Sequence, residues 1–296
     1  MILYRFKNNM SLQQKFYFLI CSVFWGSSYL FIKISLISYQ ASDIAFFRIA
    51  LGFIFVFFSF GIPDSVSKKT HFRLFLIAIL WFSIPSYFYS KSLETLDSSL
   101  VGIINGTTPI IIAVISILFF KEPINKKIFI YLLLGFVGIT IINSSIIFEN
   151  LLSSKGLIYA TCAAFGYSIS VNLTKPLISK IGSANVLFYT LGYATVINFI
   201  LFAMNLNRLE IEILPSISLL VLGLICTGLA YYLYYELLNQ IGIVKSTLIV
   251  YLIPVFSILL GVLFLKESVS LNETLGISIV LFSSYLIMDE KNLGQK

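Results

Sequence analysis

The sequence has little charge, one histidine and three cysteines, and each scarcity excludes a class of protein. Only 11% of the 296 residues are charged and 58% are hydrophobic, whereas a soluble domain carries about 25% charged residues. A water-soluble fold of this composition would expose large apolar patches, so the sequence predicts a membrane protein. His71 stands alone, and Cys21, Cys162 and Cys226 lie in apolar runs without CxxC spacing. This pattern favours buried cysteine side chains over a disulfide or a zinc set.

Motifs of enzymes and of nucleotide-driven pumps are also missing. The sequence contains no GxSxG, no HExxH and no GxxxxGK[ST], so we predict no enzyme, no catalytic residue, no metal and no cofactor. The net charge of +7 does not indicate nucleic acid as a partner, because the basic residues occur in short clusters between apolar runs. The lipid bilayer and a small-molecule substrate are the expected partners, and the oligomeric state is left open.

Long apolar runs fill the chain. A membrane-spanning helix needs about 20 mostly apolar residues, and the chain offers ten such runs separated by short polar breaks. The predicted spans are 16–37, 43–61, 72–92, 98–119, 128–147, 156–178, 184–205, 216–238, 244–265 and 271–289. We therefore predict an all-α polytopic membrane protein with ten transmembrane helices and no attached soluble domain.

Basic residues indicate the orientation of these spans. With a cytoplasmic N-terminus, 14 Lys and Arg fall on the inner side and 5 on the outer side, and Arg48 is placed within a span. Because cytoplasmic loops carry an excess of Lys and Arg, this bias predicts an even number of spans with both termini cytoplasmic. The first run is long enough to span and is expected to be an uncleaved helix.

Two similar pentapeptides, FFKEP (119–123) and FLKES (264–268), lie 145 residues apart. Sliding the second half of the chain onto the first by this distance aligns further residues. The matched pairs are Pro109 and Pro254, Tyr87 and Tyr232, Tyr89 and Tyr234, and Lys121-Glu122 and Lys266-Glu267. A proline and a Lys-Glu pair in one register indicate a duplicated unit of five helices.

An odd number of helices per unit places the second copy in the membrane upside down. We therefore predict two inverted five-helix repeats, 1–148 and 149–296. Inverted repeats are typical of transporters, in which the halves exchange conformations around a central site. The Lys-Glu pairs are expected at helix ends, where Lys reaches the lipid headgroups and Glu contacts a neighbouring segment.

Motifs in order along the chain carry a resemblance to a known family. The first two helices read VFWGSSYLFIK (23–33) and DIAFFRIALG (43–52), and each half then has a stretch that runs through a proline to a helix end with Glu. Those stretches are SLETLDSSLVGIINGTTP (92–109) and LLNQIGIVKSTLIVYLIP (237–254). Over nearly its whole length the chain resembles the EamA-type permeases of the drug/metabolite transporter superfamily. It departs from them at Phe165-Gly166, where members often carry Trp.

The resemblance implies a ten-helix bundle around a central cavity, in the plasma or inner membrane. Family members typically export small metabolites or facilitate their exchange, so we expect export or facilitated exchange of amino acids or related compounds by alternating access. The alternative is an importer or exchanger of a vitamin, a nucleotide derivative or another ring-bearing metabolite. The cavity is expected between the first, third, fourth, sixth, eighth and ninth spans.

Polar side chains within spans supply candidate substrate-binding residues. In the first span, Trp25 and Ser27 belong to WGSSY (25–29), a stretch that suits either close helix packing or a polar cavity wall. In the fourth span, Asn105 and Thr108 are three residues apart and share one helix face. A buried Asn needs partners, which a neighbouring helix, water or a substrate can supply. Tyr251 occupies the corresponding stretch of the second half.

Tyrosines and one arginine complete the candidates. Tyr87 and Tyr232 are repeat partners placed inside their spans, where they either flank a substrate or belong to the interfacial aromatic belt. Tyr167 in the sixth span is a further candidate. Arg48 either serves structure, by reaching outward or pairing with Asp43, Glu94 or Asp97, or binds a substrate carboxylate. Glu236, near the end of its span, is the acidic residue considered for proton coupling.

Overall fold

The fold is known from a computed structural model that describes residues 10–96, 98–121, 124–142, 154–204, 211–260 and 269–290. These residues form helices and turns and contain no strand, so the predicted all-helical fold is confirmed. Counted along the chain, the helices are α1 (Leu12–Ser35), α2 (Ala41–Phe60), α3 (Lys68–Ile77), α4 (Ile84–Leu93), α5 (Ser98–Gly106), α6 (Thr108–Phe120), α7 (Lys126–Ile142), α8 (Ser154–Ile181), α9 (Ser183–Met204), α10 (Ile213–Gly223), α11 (Ala230–Ile241), α12 (Ile243–Thr247), α13 (Ile249–Leu260) and α14 (Leu271–Asp289).

Several of these helices join end to end into longer membrane spans. Within the described ranges, nine helical runs are long and apolar enough to cross a membrane, and each coincides with a predicted span. At the position of the remaining predicted span, 128–147, the structure describes the 17 residues of α7, and residues 143–147 lie outside the described ranges. The chain is therefore a multi-pass membrane protein.

Helix starts follow the sequence where a capping residue is present. Ser11 accepts a hydrogen bond from the backbone N–H of Gln14, whose side chain bonds back to the Ser11 N–H. Ser270 and Glu273 repeat this reciprocal arrangement before α14. Such capping boxes satisfy backbone donors that a helix start leaves free, which explains why these helices begin here.

Proline interrupts the fourth span. Pro109 lies in the first turn of α6, and Thr107 separates α6 from α5. Because Pro has no backbone N–H to donate, it fits the first turn of a helix better than its interior. Pro109 thus coincides with a break between two shorter helices.

The third and eighth spans each contain a π-helical turn, which we call the first π segment (Ala78–Ser83) and the second π segment (Leu224–Leu229). At their ends, the Ile84 N–H bonds to the Ile79 carbonyl and the Ala230 N–H bonds to the Ile225 carbonyl, five residues back in each case. Shifted by 145 residues, the first π segment would begin one residue before the second π segment begins. π turns are rare and occur often at functional sites.

Helices α7 and α14, which are equivalent in the predicted repeat, pack closely on each other. A Cβ atom added at Gly138 would lie 2.9 Å from the carbonyl oxygen of Gly276, and the Ser283 hydroxyl donates to the Tyr131 carbonyl at 2.6 Å. Subtracting 145 from the second-half numbers gives position 131 for Gly276 and position 138 for Ser283. Both contacts therefore join positions 131 and 138 of the repeat, with the two halves exchanged. Ser283 also lies beside Gly135. Residue numbers at the contacts therefore fall along α7 as they rise along α14, so the two helices run antiparallel.

Other contacts between the halves are exchanged in the same way. Helix α1 packs on the eighth span and on α13 of the ninth, while its equivalent α8 packs on the third span and on α6 of the fourth. Antiparallel equivalents and exchanged contacts agree with an inverted duplication. Only one residue of the two repeated Lys-Glu pairs is described by the structure. Lys121 ends α6 in the left-handed conformation with φ of 52°, whereas Glu122, Lys266 and Glu267 lie outside the described ranges.

Candidate functional site

A narrow cavity of about 70 Å³ lies inside the bundle. Its walls come from the six predicted spans and also from α2, which the sequence analysis did not place there. On α1 the lining residues run from Trp25 to Ile32, in the half nearer Ser35. The cavity is smaller than the roughly 300 Å³ at which small-molecule pockets usually begin, so the helices must separate before a metabolite can enter.

Aromatic rings form most of the cavity wall. The ring of Trp25 lies 5.1 Å from that of Tyr231 between centroids, and Phe82 packs on Tyr231 at 4.9 Å. Trp81 meets Tyr167 edge-on at 5.0 Å. Such rings give a planar or apolar ligand body large contact surfaces.

The cavity is closed towards the end of the bundle that carries Leu12, which we call the Leu12 end. Tyr235 and Tyr234 pack on Trp81 with ring centroids 5.0 Å and 5.9 Å away. Nearer the surface, the Gln14 amide donates to Gln240 at 3.1 Å. These contacts join the first, third and eighth spans, so opening this end requires that the spans move apart.

Asn105 holds a polar cluster on the cavity wall. Its Oδ1 accepts hydrogen bonds from the Tyr89 hydroxyl at 2.8 Å and from the Thr108 hydroxyl at 3.2 Å. Its Nδ2 donates to the Tyr29 hydroxyl oxygen at 3.1 Å. Asn105, Tyr29 and Tyr89 all line the cavity, whereas Thr108 is fully buried behind them. The predicted Asn105–Thr108 face thus consists of one lining residue and one supporting residue.

Replacing Asn105 by Leu is expected to destabilise the protein, because Tyr29, Tyr89 and Thr108 lose a shared partner. A buried polar group left without a partner costs about 1–3 kcal/mol. We expect a lower melting temperature in detergent and partial recovery when Tyr89→Phe is added, since that change removes one orphaned hydroxyl. Asn239→Leu, at an exposed amide, is the control, and an equal loss of stability in both single variants would contradict the prediction.

Arg48 brings a positive charge to the cavity from α2. Its Nε donates to the Thr227 hydroxyl at 2.8 Å, and Thr227 in turn donates to the Leu222 carbonyl, five residues back across the second π segment. The guanidinium is half-buried and lines the cavity. The π turn therefore presents the hydroxyl that fixes the Arg48 side chain.

The acidic partners considered for Arg48 are engaged elsewhere or lie outside the described ranges. Asp43 accepts the Gln40 backbone N–H at 2.9 Å, and Glu94 pairs with Lys91 at 2.7 Å. Asp97 is outside the described ranges. Among the residues that the structure describes, Arg48 forms no ion pair, so the guanidinium keeps its remaining donors.

Of the nine candidate residues, Trp25, Arg48, Asn105 and Tyr167 line the cavity. Ser27 is half-buried and donates to the Phe24 carbonyl in its own helix at 3.0 Å. Its neighbour Ser28 is the hydroxyl residue of this stretch that lines the cavity.

The repeat-related candidates Tyr87 and Tyr232 lie apart from the cavity, as does Tyr251. Tyr87 lines a separate pocket of about 330 Å³ at the opposite end of the bundle from Leu12, beside Lys91 and Glu94. Tyr232 packs on Phe60 with ring centroids 4.4 Å apart. Tyr251 is buried and donates to the Leu132 carbonyl at 2.7 Å, between α13 and α7.

Sequence reasoning missed several lining residues, above all Tyr29, Trp81, Tyr89 and Tyr231. One step along an α-helix turns a side chain by about 100°, so Tyr231 and Tyr232 point to different surroundings. The π segments add a further rotation that an α-helical pattern does not include. The signal that could have pointed to Tyr89 was Asn105, the one Asn in the middle of the fourth span. A buried Asn needs polar partners, and Tyr89 in the preceding span is a residue that can supply one.

Comparisons with known proteins show the family and the fold. The model of the EamA-like transporter family matches residues 15–144 and 154–289. The chain is 24% identical to the uncharacterized transporter YdfC of Bacillus subtilis, over 85% of this chain and 83% of the relative. It is 21% identical to an uncharacterized transporter of Archaeoglobus fulgidus, over 90% and 96% respectively. A crystal structure, 14% identical, matches with a TM-score of 0.75 over 92% of this chain and 95% of its own, which shows the fold.

Proposed function

The chain belongs to the EamA-like transporter family, and on that premise we propose that it exports or exchanges amino acids or related carboxylates by alternating access. Transport of small molecules across a bilayer follows from the family and from the transporter relatives. The finer substrate class rests on one observation, which is the Arg48 guanidinium on the cavity wall. A guanidinium is planar and binds a carboxylate through two parallel hydrogen bonds.

The surroundings of Arg48 support this role. Among the residues that line the cavity, Arg48 is the charged one, and its Nε is held by Thr227. The Nη groups still offer four N–H donors. A charge placed inside a membrane protein usually marks the substrate or ion pathway, and a substrate carboxylate would supply the missing counter-charge.

Alternating access is supported by the shape of the cavity and by the exchanged contacts of the two halves. The cavity is narrow and closed by aromatic packing at the Leu12 end. In inverted-repeat transporters the two copies adopt two conformations and exchange them, which opens the central site to each side in turn. We propose that residues 1–148 and 149–296 are the two units that move in this way.

Orientation and location belong to the same proposal. The distribution of Lys and Arg, 14 against 5, supports both termini in the cytoplasm, and we place the protein in the plasma or inner membrane. In this orientation the Leu12 end faces the cytoplasm, and the structure has its closed side there.

A second candidate cargo is a ring-bearing metabolite such as a vitamin or a nucleotide derivative. The observation that favours it is the aromatic wall, in which Trp25, Trp81 and Tyr231 surround the same space as Arg48. A planar ring could stack on these side chains while an anionic group binds the guanidinium.

Counterflow in proteoliposomes tests the proposal. Vesicles loaded with a pool of unlabelled amino acids should take up labelled members of that pool, whereas protein-free vesicles should not. The amides of the same amino acids are the matched control, because they lack the carboxylate and should compete poorly. A signal from pooled vitamins or nucleotides alone would support the second candidate, and equal competition by acids and amides would contradict carboxylate recognition.

A further inference from the structure

We propose that the preferred cargo is an organic monoanion without an ammonium group, and that its transport moves net negative charge across the membrane. This inference rests on the proposed function, since it assumes that Arg48 binds the cargo carboxylate. It goes further by using the other polar groups of the cavity to decide between an amino acid zwitterion and a plain organic anion.

Hydrogen-bond donors point into the cavity in excess. Arg48 keeps its Nη donors, and Asn105 uses one N–H on Tyr29 and keeps the second. Because the Tyr29 oxygen accepts that bond, its hydroxyl hydrogen remains to donate. Ser86 also lines the cavity, is 8% exposed, and its Oγ has no partner among the described residues. Four side chains thus offer donors to one ligand.

The amide acceptor of the cavity wall is consumed by the protein itself. The Asn105 Oδ1 receives two hydrogen bonds, from Tyr89 and Thr108, which occupies both of its lone pairs. The side-chain acceptors that remain are hydroxyl oxygens, such as that of Ser28, whose hydrogen is donated to the Trp25 carbonyl at 2.8 Å, and these oxygens are uncharged. A ligand with several oxygen acceptors satisfies the four donor side chains, whereas an ammonium group would bring three further donors to neutral acceptors only.

No carboxylate of the described residues lines the cavity. Of the 13 acidic residues in the sequence, Asp43, Glu236, Glu273 and Asp289 fall inside predicted spans. Asp43 is bonded to the Gln40 N–H in the first turn of α2, Glu236 lies in the middle of α11, and Glu273 and Asp289 lie at the two ends of α14. Among the described residues, an ammonium in the cavity would therefore meet neutral polar groups and aromatic rings, together with the repulsion of Arg48.

A monoanion carried alone makes the cycle electrogenic. One elementary charge crossing the membrane gains about 2.3 kcal/mol per 100 mV, which corresponds to about a fifty-fold concentration ratio. In a cell with a negative interior, this potential drives an anion outwards. Export would then need neither a coupling ion nor a carboxylate that binds and releases protons within the cavity.

Two matched probes test the inference: L-phenylalanine, and L-3-phenyllactate, in which a hydroxyl replaces the ammonium. Proteoliposomes receive each labelled compound under potassium gradients with valinomycin, which set the interior positive or negative. We expect phenyllactate to enter at least about tenfold faster than phenylalanine, and to accumulate towards the fifty-fold ratio with the interior positive at 100 mV. Protein-free vesicles correct for passive entry of the undissociated acid.

The possible results separate this inference from the proposed function. Faster transport of phenylalanine, or phenyllactate accumulation that ignores the potential, would overturn the inference and leave carboxylate recognition by Arg48 intact. Transport of neither probe would also overturn it, and the amino acid and amide pools would then decide the proposed function separately. Phenyllactate transport that responds to the potential and falls in Ser86→Ala would support both the charge movement and the donor-rich wall.

Discussion

Counterflow of the carboxylate substrate is expected to fall by about 10- to 150-fold when Arg48 is replaced by Gln. A hydrogen bond to a charged group contributes about 1.5–3 kcal/mol, and that range corresponds to this loss in affinity. Gln can still donate to Thr227 or to a ligand, but it has no charge and no planar fork. The initial rate of counterflow, measured over a range of substrate concentrations, should show the loss mainly as weaker binding.

Two further variants make the Arg48 result specific. Arg48→Lys keeps the charge without the paired donors, so an intermediate rate is expected. Arg73→Gln removes an exposed arginine from α3 and should leave counterflow unchanged. If Arg48→Gln lowered the melting temperature of the protein as well as the rate of counterflow, the guanidinium would be structural, and carboxylate binding would lose its main support.

A methyl group on Gly138 is expected to destabilise the contact between α7 and α14. The added Cβ would lie 2.9 Å from the Gly276 carbonyl oxygen and 3.0 Å from the Val280 backbone nitrogen. Backbone atoms cannot rotate away as side chains do, so the helices must separate. Overpacking of this kind costs about 1–3 kcal/mol, and Gly138→Ala should lower the melting temperature in detergent.

Gly102→Ala is the matched control for this prediction. At Gly102 an added Cβ meets no atom within 4 Å. Replacing a helical Gly by Ala gains about 0.5–1 kcal/mol through the reduced freedom of the backbone, so this variant should be neutral or more stable. The difference between the two variants therefore isolates the close approach, and equal melting temperatures would show that α7 and α14 do not depend on it.

Helix positions followed from the sequence because apolar length is a direct requirement of the bilayer. The nine described spans agree with the predicted ones, and Pro109 marked the break in the fourth span. The 145-residue register also survives in the contacts of Gly138 and Ser283. These features depend on composition and spacing, which a single sequence displays.

Side-chain orientation at the cavity was less predictable. Repeat register drew attention to Tyr87 and Tyr232, but a symmetric position in sequence does not fix which neighbour a ring meets. Tyr232 packs on Phe60, whereas the adjacent Tyr231 lines the cavity. Arg48 was recognised as unusual, yet its partner Thr227 lies 179 residues away. That pairing depends on tertiary structure, and no local pattern indicates it.

The two π segments carry information about the history of the chain. A π turn resembles an α-helix with one residue inserted, and such turns are rare and occur frequently at functional sites. Ala78–Ser83 and Leu224–Leu229 occupy nearly the same position in their respective halves. A single insertion that preceded a duplication of a half-length unit would produce this common position, because both copies would inherit it. Such an ancestor would have had to insert in both orientations and assemble as an antiparallel pair.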